Sequence, residues 1–548
     1  MPQEEEKANN TELEQKKGDA VYVEDVDSER QYETAELEPK LNLQTVLAYL
    51  ALASQFNAYI LTLLMPSTIL PYINADLGPN PNYTWITISW TLCASIIVSV
   101  GGRLADIFWV RRTIVGATGQ SINQMIASGI IFGIGSGFQE MAYPYIQEIV
   151  PNKWRIYAVG CFEPSACVSF LGPIVAYAFI EHTSLGWRGA YWYICGFHSF
   201  FGIFPACVYF PPNFHTKHKT DGKTKWQLVN ELDFIGLTLF SAAHVIAPMV
   251  IGILCLVALG FWSAYADLKY PLMPPRLFRR WRRFAMVLVV CFAGGMLYYS
   301  MNVLWPRQSQ LLFTGPNPIT KGAYAEQIPL GTTIAGIIVI TICPRIGHER
   351  WQLVFFETAQ TALIGSLASV GLNHKVQAIC TVIFLSSMVT PPQLLSFTML
   401  SLGIDDQVDM NFPPARGAVA TAIYTTITNN GFSKHSKFAS EVMSHTQGLN
   451  FPNANVPALV KAAALNTAAA YKVVPGINAK VTAAAQLAVK EAYVKAFSTT
   501  YLSATGFGGL AVIAAFCTKD TDVRMKNASR VVRLENEKSH EELAAEKV

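Results

Sequence analysis

Charge is what this chain has least of. Asp, Glu, Lys and Arg make up 14% of its 548 residues, while 51% are hydrophobic and 12% aromatic. A soluble domain holds about a quarter charged residues, so this balance excludes a water-soluble globule and predicts a polytopic membrane protein. Catalytic groupings are missing as well. There is no phosphate loop of the pattern Gly-x-x-x-x-Gly-Lys-Ser/Thr, no His-Glu-x-x-His, and no Ser, His and Asp in a hydrolase context. An enzyme is not expected, no cofactor or metal is implied, and any pumping must draw on an ion gradient. The ten cysteines lie inside or at the edges of apolar runs, as Cys93, Cys161, Cys195 and Cys255 do, which suits neither a disulfide framework nor a zinc site. The net charge of +3 is spread over loops rather than one face, so no nucleic-acid partner is expected. No basic stretch precedes the first apolar run, so no cleavable leader is expected and that run would itself direct insertion.

What the chain does have is long apolar runs. About 20 helical residues, at ~1.5 Å each, cover the roughly 30 Å of hydrocarbon in a bilayer. Twelve runs qualify: 45–66, 84–101, 122–147, 156–180, 188–210, 234–263, 284–305, 322–343, 351–372, 376–400, 413–429 and 499–517. The expected class is an all-α polytopic membrane protein with the lipid bilayer as a partner. Residues 1–44, with 13 acidic and 5 basic side chains, read as a disordered acidic cytoplasmic tail. Residues 45–210 form an N-terminal helical bundle. Residues 211–283 hold basic loops around a reduced pair of linking spans. Residues 284–517 form a C-terminal bundle with a long outer loop, 430–497, in which Val456-Pro457, Leu459, Ala463 and Leu465 predict short capping helices. Residues 518–548, seven basic against seven acidic, form a cytoplasmic tail.

Charge also assigns sides. Basic loops mark the cytoplasmic face, and two of them must be separated by an even number of spans. The loops are 103–112, Lys153 with Arg155, 211–231, 269–283 and 345–350. The count fails twice. Residues 113–150 contain no Lys or Arg and have room for one clear span, and 234–266 is a single apolar run of 33 residues. Each failure equals one helix, so the pattern reads as a fourteen-span architecture reduced to about twelve, with the third span and one of the middle pair lost; the alternative is that some of the basic loops lie outside.

Residues 101–112, Gly-Gly-Arg-Leu-Ala-Asp-Ile-Phe-Trp-Val-Arg-Arg, follow the second run and crowd four charges together. Gly102, Arg103, Asp106, Arg111 and Arg112 resemble the loop between spans two and three of the major facilitator transporters, with Trp109 where that family has glycine. The resemblance implies the major facilitator fold and a cytoplasmic charge latch that breaks as access alternates. Gly172-Pro173 resembles the centre of the antiporter motif that bends the fifth span; its flanking glycines are Val168 and Ala176 here. Leu232-Asp233-Phe234-Ile235-Gly236, Arg416-Gly417, the run to Tyr424, Ala492–Phe497 and Phe507–Leu510 are similar to the fungal trichothecene efflux pump family, a fourteen-span branch near the drug:proton antiporters and siderophore transporters. That family implies export of an organic small molecule, with the proton as a coupling ion. Uptake of a siderophore–iron complex is the alternative within the class. A non-transporting relative is the alternative outside it.

Charges inside hydrocarbon are expensive, so each is a functional candidate. Glu163, Glu140 and Glu357 are the candidates for coupling or substrate binding, with Glu326 weaker. His198 and His244 read first as packing histidines. The related antiporters carry an Asp and an Arg where this chain has Asn57 and Gly129. Trp90, Phe132, Tyr298, Tyr299 and Trp305 could line a cavity, although aromatics at helical spacing more often pack. Pro391-Pro392 is expected to break the 376–400 span.

Overall fold

The computed structural model describes residues 43–78, 80–105, 119–208, 258, 261–262, 265, 275–314, 317–403, 423–424, 426–428, 430–432, 451–465 and 471–520. Among them the secondary structure is helical throughout. The first half holds α1 (Leu43–Leu77), α2 (Trp85–Ala105), α3 (Ile122–Glu140), α4 (Ala142–Ile149), α5 (Asn152–Ser165), α6 (Cys167–Phe170), α7 (Gly172–His182) and α8 (Trp187–Val208). The second holds α9 (Pro275–Arg279), α10 (Ala285–Leu312), α11 (Pro318–Ala325), α12 (Gln327–Thr341), α13 (Cys343–Ile346), α14 (Glu349–Ala368), α15 (Lys375–Gly403), α16 (Val456–Leu465) and α17 (Ala479–Cys517). Among the described residues, five runs are long and apolar enough to cross a membrane: Leu43–Leu77, Asn152–His182, Ile319–Ile346, Lys375–Ser401 and Ala479–Cys517. Most of the sixth and eleventh runs lies outside the described residues.

Polar caps and prolines decide where these helices bend. Ser121 Oγ accepts from the Gln124 amide and starts α3, and Asn478 does the same for α17 through Val481. The run 156–180 is interrupted at Ala166 and Leu171, just after Pro164 and just before Pro173. Proline has no N–H and leaves carbonyls of the previous turn unpaired. Asn57 of α1 covers part of that loss: its Nδ2 donates to the Ser165 carbonyl at 3.0 Å, and the Ser169 hydroxyl donates to the Asn57 carbonyl at 2.7 Å. Asn57 thus works as a staple on the bend.

Two expectations need correction. Pro391-Pro392 does not break its span, because α15 runs unbroken from Lys375 to Gly403. Hydroxyls of Ser386, Ser387 and Thr390 bond back to carbonyls of the preceding turn beside the prolines. The last span also begins earlier than 499. α17 has 39 residues, about 58 Å at 1.5 Å per residue, and its first part, 479–497, lies in what reads as outer loop. Val481, Ala485, Ala488 and Val489 pack there with Leu459 and Ala463 of α16 in a separate small core.

Along the first half, α1 packs on α8, α3 and α7, and α2 packs on α3. The α2–α3 pairing has a clear register. A Cβ on Gly129 would meet the Ile86 carbonyl at 2.5 Å, one on Gly133 the Trp90 carbonyl at 2.5 Å, and one on Gly137 the Ala94 carbonyl at 2.8 Å. Both sets of numbers rise together, so α2 and α3 run parallel. In the second half α14 packs on α17 and α15, and α10 on both of the latter. The halves meet where α5 lies on α12 and α15, α7 on α11, and α1 on α10.

Candidate functional site

The seam between the halves is closest where α5 crosses α12. A Cβ on Gly336 would overlap Pro164 Cδ and lie 2.8 Å from the Gly160 carbonyl, while one on Gly160 would lie 2.8 Å from Ile340 Cγ1. Small residues on both helices let the backbones approach this closely. Glu163 sits on this stretch of α5 and is 4% exposed. Tyr143 of α4 donates its hydroxyl to Glu163 Oε1 at 2.8 Å, and Oε2 is buried without a partner.

The Tyr143 ring reaches across the seam. It stands edge-on to Phe56 and Phe162 of its own half, with centroids 5.0 and 4.8 Å away, and stacks on Phe397 of α15 at 5.6 Å and 10°. One turn further along α15, Ser401 is the next contact. Arg155, 2% exposed, directs Nη1 to the Ser401 carbonyl at 3.4 Å. Thus α5 meets α15 through the Arg155 guanidinium, and its Glu163 carboxyl is linked to α15 through the Tyr143 ring. A fixed carboxyl with one free oxygen can take up a proton or hold a cationic group. Moving α15 would disturb its donor through Phe397.

At the opposite end, where α1 and α7 finish, other polar contacts join the halves. Gln310 Nε2 donates to the Thr68 carbonyl at 3.0 Å and also meets the Tyr177 hydroxyl, which itself donates to the Thr68 carbonyl at 2.8 Å. Lys321 Nζ donates to the Tyr72 hydroxyl at 3.0 Å. Arg188 and Asp76 form an ion pair at 2.8 Å at this end, with Arg188 Nη2 donating to the Gly119 carbonyl.

The other predicted residues scatter. Glu140 is buried as the last residue of α3. Glu357 lies in α14 at 0% exposure, accepts from Gln360 of its own helix, and keeps Oε1 unpartnered near Gly294 and Gln393. It shares no bonded partner with Glu163. Glu326 closes the gap between α11 and α12, with Oε1 buried and unpartnered. Gly172-Pro173 opens α7, where Gly172 abuts Leu61 and Met65 of α1. Gly102 and Arg103 fall in the last turn of α2, whereas Asp106, Arg111, Arg112 and His244 lie outside the described residues. Trp90, Phe132, Tyr298 and Trp305 are buried in the core, with Trp90 Nε1 donating to Ser136 Oγ at 2.8 Å. Sequence reasoning missed Tyr143, Phe397 and Arg155. The signal available for Arg155 was a lone arginine two residues from the lysine of a basic loop.

Comparison with known proteins places this geometry. A profile of the fungal trichothecene efflux pump family matches residues 39–244 and 239–543. The chain is 27% identical over 538 residues to the MFS-type transporter prx5 of Penicillium rubens, covering 90% of this chain and 95% of that one. It is 22% identical over 521 residues to the trichothecene efflux pump TRI12 of Fusarium sporotrichioides, covering 87% and 86%. Among solved structures, a double-tryptophan mutant of the transporter XylE aligns with a TM-score of 0.50 at 12% identity, over 89% of this chain and 96% of that one. The fold is that of the major facilitators.

Proposed function

The chain belongs to the fungal trichothecene efflux pump family, as a multi-pass membrane transporter of small molecules, and we propose that it exports an organic toxin or xenobiotic across the plasma membrane in exchange for protons. The observation that supports this is the seam around Glu163. A buried carboxyl with one free oxygen is tied by a single phenol to the opposite half. Placing an ionised carboxylate there costs several kcal/mol unless a proton or cation joins it. Occupancy of Glu163 and the position of α15 are therefore linked, which is what alternating access between two bundles requires. Arg103 and Asp106, with Arg111 and Arg112, serve as the cytoplasmic latch. Glu140 and Glu357 contribute within their own halves.

The test is retention of a radiolabelled trichothecene in yeast cells stripped of their own exporters. Expression of the chain is expected to lower retention, and a protonophore to restore it. Glu163→Gln and Asp106→Asn are each expected to abolish the effect in protein that reaches the membrane. Equal retention with and without the inserted wild-type chain would overturn the reading. A second reading, a non-transporting relative, is favoured by the parallel α2–α3 pair, and the same null result would support it.

A further inference from the structure

Inside the first half, away from the seam, a hydrogen-bonded chain links three helices. Gln55 and Thr62 come from α1, Gln139 from α3 and His198 from α8. The Thr62 hydroxyl donates to the Ala58 carbonyl at 3.0 Å, so in its 2.7 Å contact with His198 Nε2 it is the acceptor and the ring supplies the N–H. Gln139 Nε2 donates to His198 Nδ1 at 3.0 Å, which makes Nδ1 a bare acceptor. These directions select the neutral Nε2–H tautomer. The Gln139 amide also reaches Gln55 Oε1 at 3.5 Å, and Gln55 Nε2 donates to the Phe201 carbonyl at 2.7 Å. One polar atom is left over: Gln139 Oε1 is buried with no partner.

That leftover atom is an acceptor, which a protonated Nδ1 would need. We propose that His198 is a proton-binding site of this transporter, accepting the proton on Nδ1 as the Gln139 amide turns over. The incoming proton takes the Nδ1 lone pair, Nε2–H stays on Thr62, and Oε1 of the turned amide accepts the new N–H. The amide gives up its long contact with Gln55 in exchange. The turn gives Oε1 a donor and carries the amide N–H2 to the place Oε1 leaves, so it is driven by the new Nδ1–H, which needs an acceptor. The proposal rests on the transport reading for its use, though not for its existence.

Other ionisable groups stand on the packed elements. On α1, Tyr49 donates to Ala158, Tyr59 packs on Trp90, and Tyr72 and Asp76 meet Lys321 and Arg188 at the far end. On α7, Tyr177 bonds Thr68, and Glu181 and His182 lie in its last turn. On α8 itself Tyr191, Tyr193 and Cys195 precede His198, and in α3 Glu140 follows Gln139. Among the described residues, the side chains bonded to the imidazole are Thr62 and Gln139.

The full chain in lipid nanodiscs, with nitrogen-15 in its histidine rings, tests this directly. Nitrogen shifts separate the two neutral tautomers from the imidazolium, and the spectrum of His198→Asn assigns the resonance by subtraction. The expected result is an Nε2–H tautomer near about pH 8, with loss of the bare Nδ1 signal and gain of an imidazolium pair by about pH 4.5. A bare Nδ1 that persists across that range overturns the proposal. Gln139→Leu removes the turning amide and is expected to suppress the imidazolium signal. Its appearance as in the wild type would overturn the amide's role. If the wild type moves no substrate, the transport reading fails, while the titration still decides the site. If it does move substrate, His198→Asn is expected to flatten the pH dependence of efflux. An unchanged profile overturns the site's part in transport.

Discussion

Tyr143 answers to both halves of the molecule, its hydroxyl to Glu163 and its ring to Phe397. The two contacts can be removed separately. Tyr143→Phe keeps the ring and deletes the donor, leaving Glu163 with both oxygens short of a partner. The expected cost in stability is about 1 kcal/mol, with a much larger loss of efflux because the carboxyl no longer reports to α15. Phe397→Ala removes the stacking, worth about 0.5–1.5 kcal/mol beyond area. In a double-mutant cycle on efflux the two losses should fall well short of adding. Independent, additive effects would mean that Tyr143 transmits nothing. Glu163 itself was legible in the sequence because a carboxyl in the middle of an apolar run is costly and conspicuous. Tyr143 and Phe397 were not. An aromatic at helical spacing looks the same whether it packs or transmits, and their pairing joins positions far apart in the chain. Arg155 was legible as part of a basic loop, but its burial against Ser401 was not.

Between elements, the fold depends most on the α5–α12 crossing. Gly336 faces Pro164, whose ring cannot swing aside, and the Gly160 backbone beyond it. Gly336→Leu is expected to force the helices apart, destabilising the protein by roughly 1–3 kcal/mol or more and loosening the Glu163 enclosure. Thermal unfolding in detergent, with and without a ligand, would measure it. An unfolding temperature equal to the wild type would show that the seam is more yielding than its packing implies. Helix existence was readable from the apolar runs: α1, α8, α10, α14 and α15 fall on predicted spans. Bends were read less well. Gly172-Pro173 sits at a helix start as its chemistry requires. Pro391-Pro392 sits inside a continuous helix. A proline pair therefore marks a place where a bend can form rather than one where it must.

For the molecule as a whole, the parallel course of α2 and α3 is the feature hardest to reconcile with a complete transporter. Their register pairs Ile86 with Gly129 and Ala94 with Gly137, which carried to the end of α2 sets Ala105 level with Glu148. The chain must then climb back to Ile122, about 39 Å at the helical rise of 1.5 Å per residue. Sixteen residues, 106–121, separate the two helices, and as a helix they would cover about 24 Å. An extended strand could reach, but its backbone groups would be unpaired in lipid. We therefore expect the transcript to encode a further apolar segment of about 20 residues between the codons for Arg112 and Ile122. Cysteines placed singly at Gly102 and Gln120, on a background without other reactive cysteines, supply the test in the protein itself. An impermeant maleimide is expected to label Gln120→Cys in intact cells and Gly102→Cys only in inside-out vesicles. Labelling of both from one side would mean that α2 and α3 do not run parallel across the bilayer. With opposite labelling and no extra segment in the transcript, the first half would lack a third span. The non-transporting reading would then gain over the exporter.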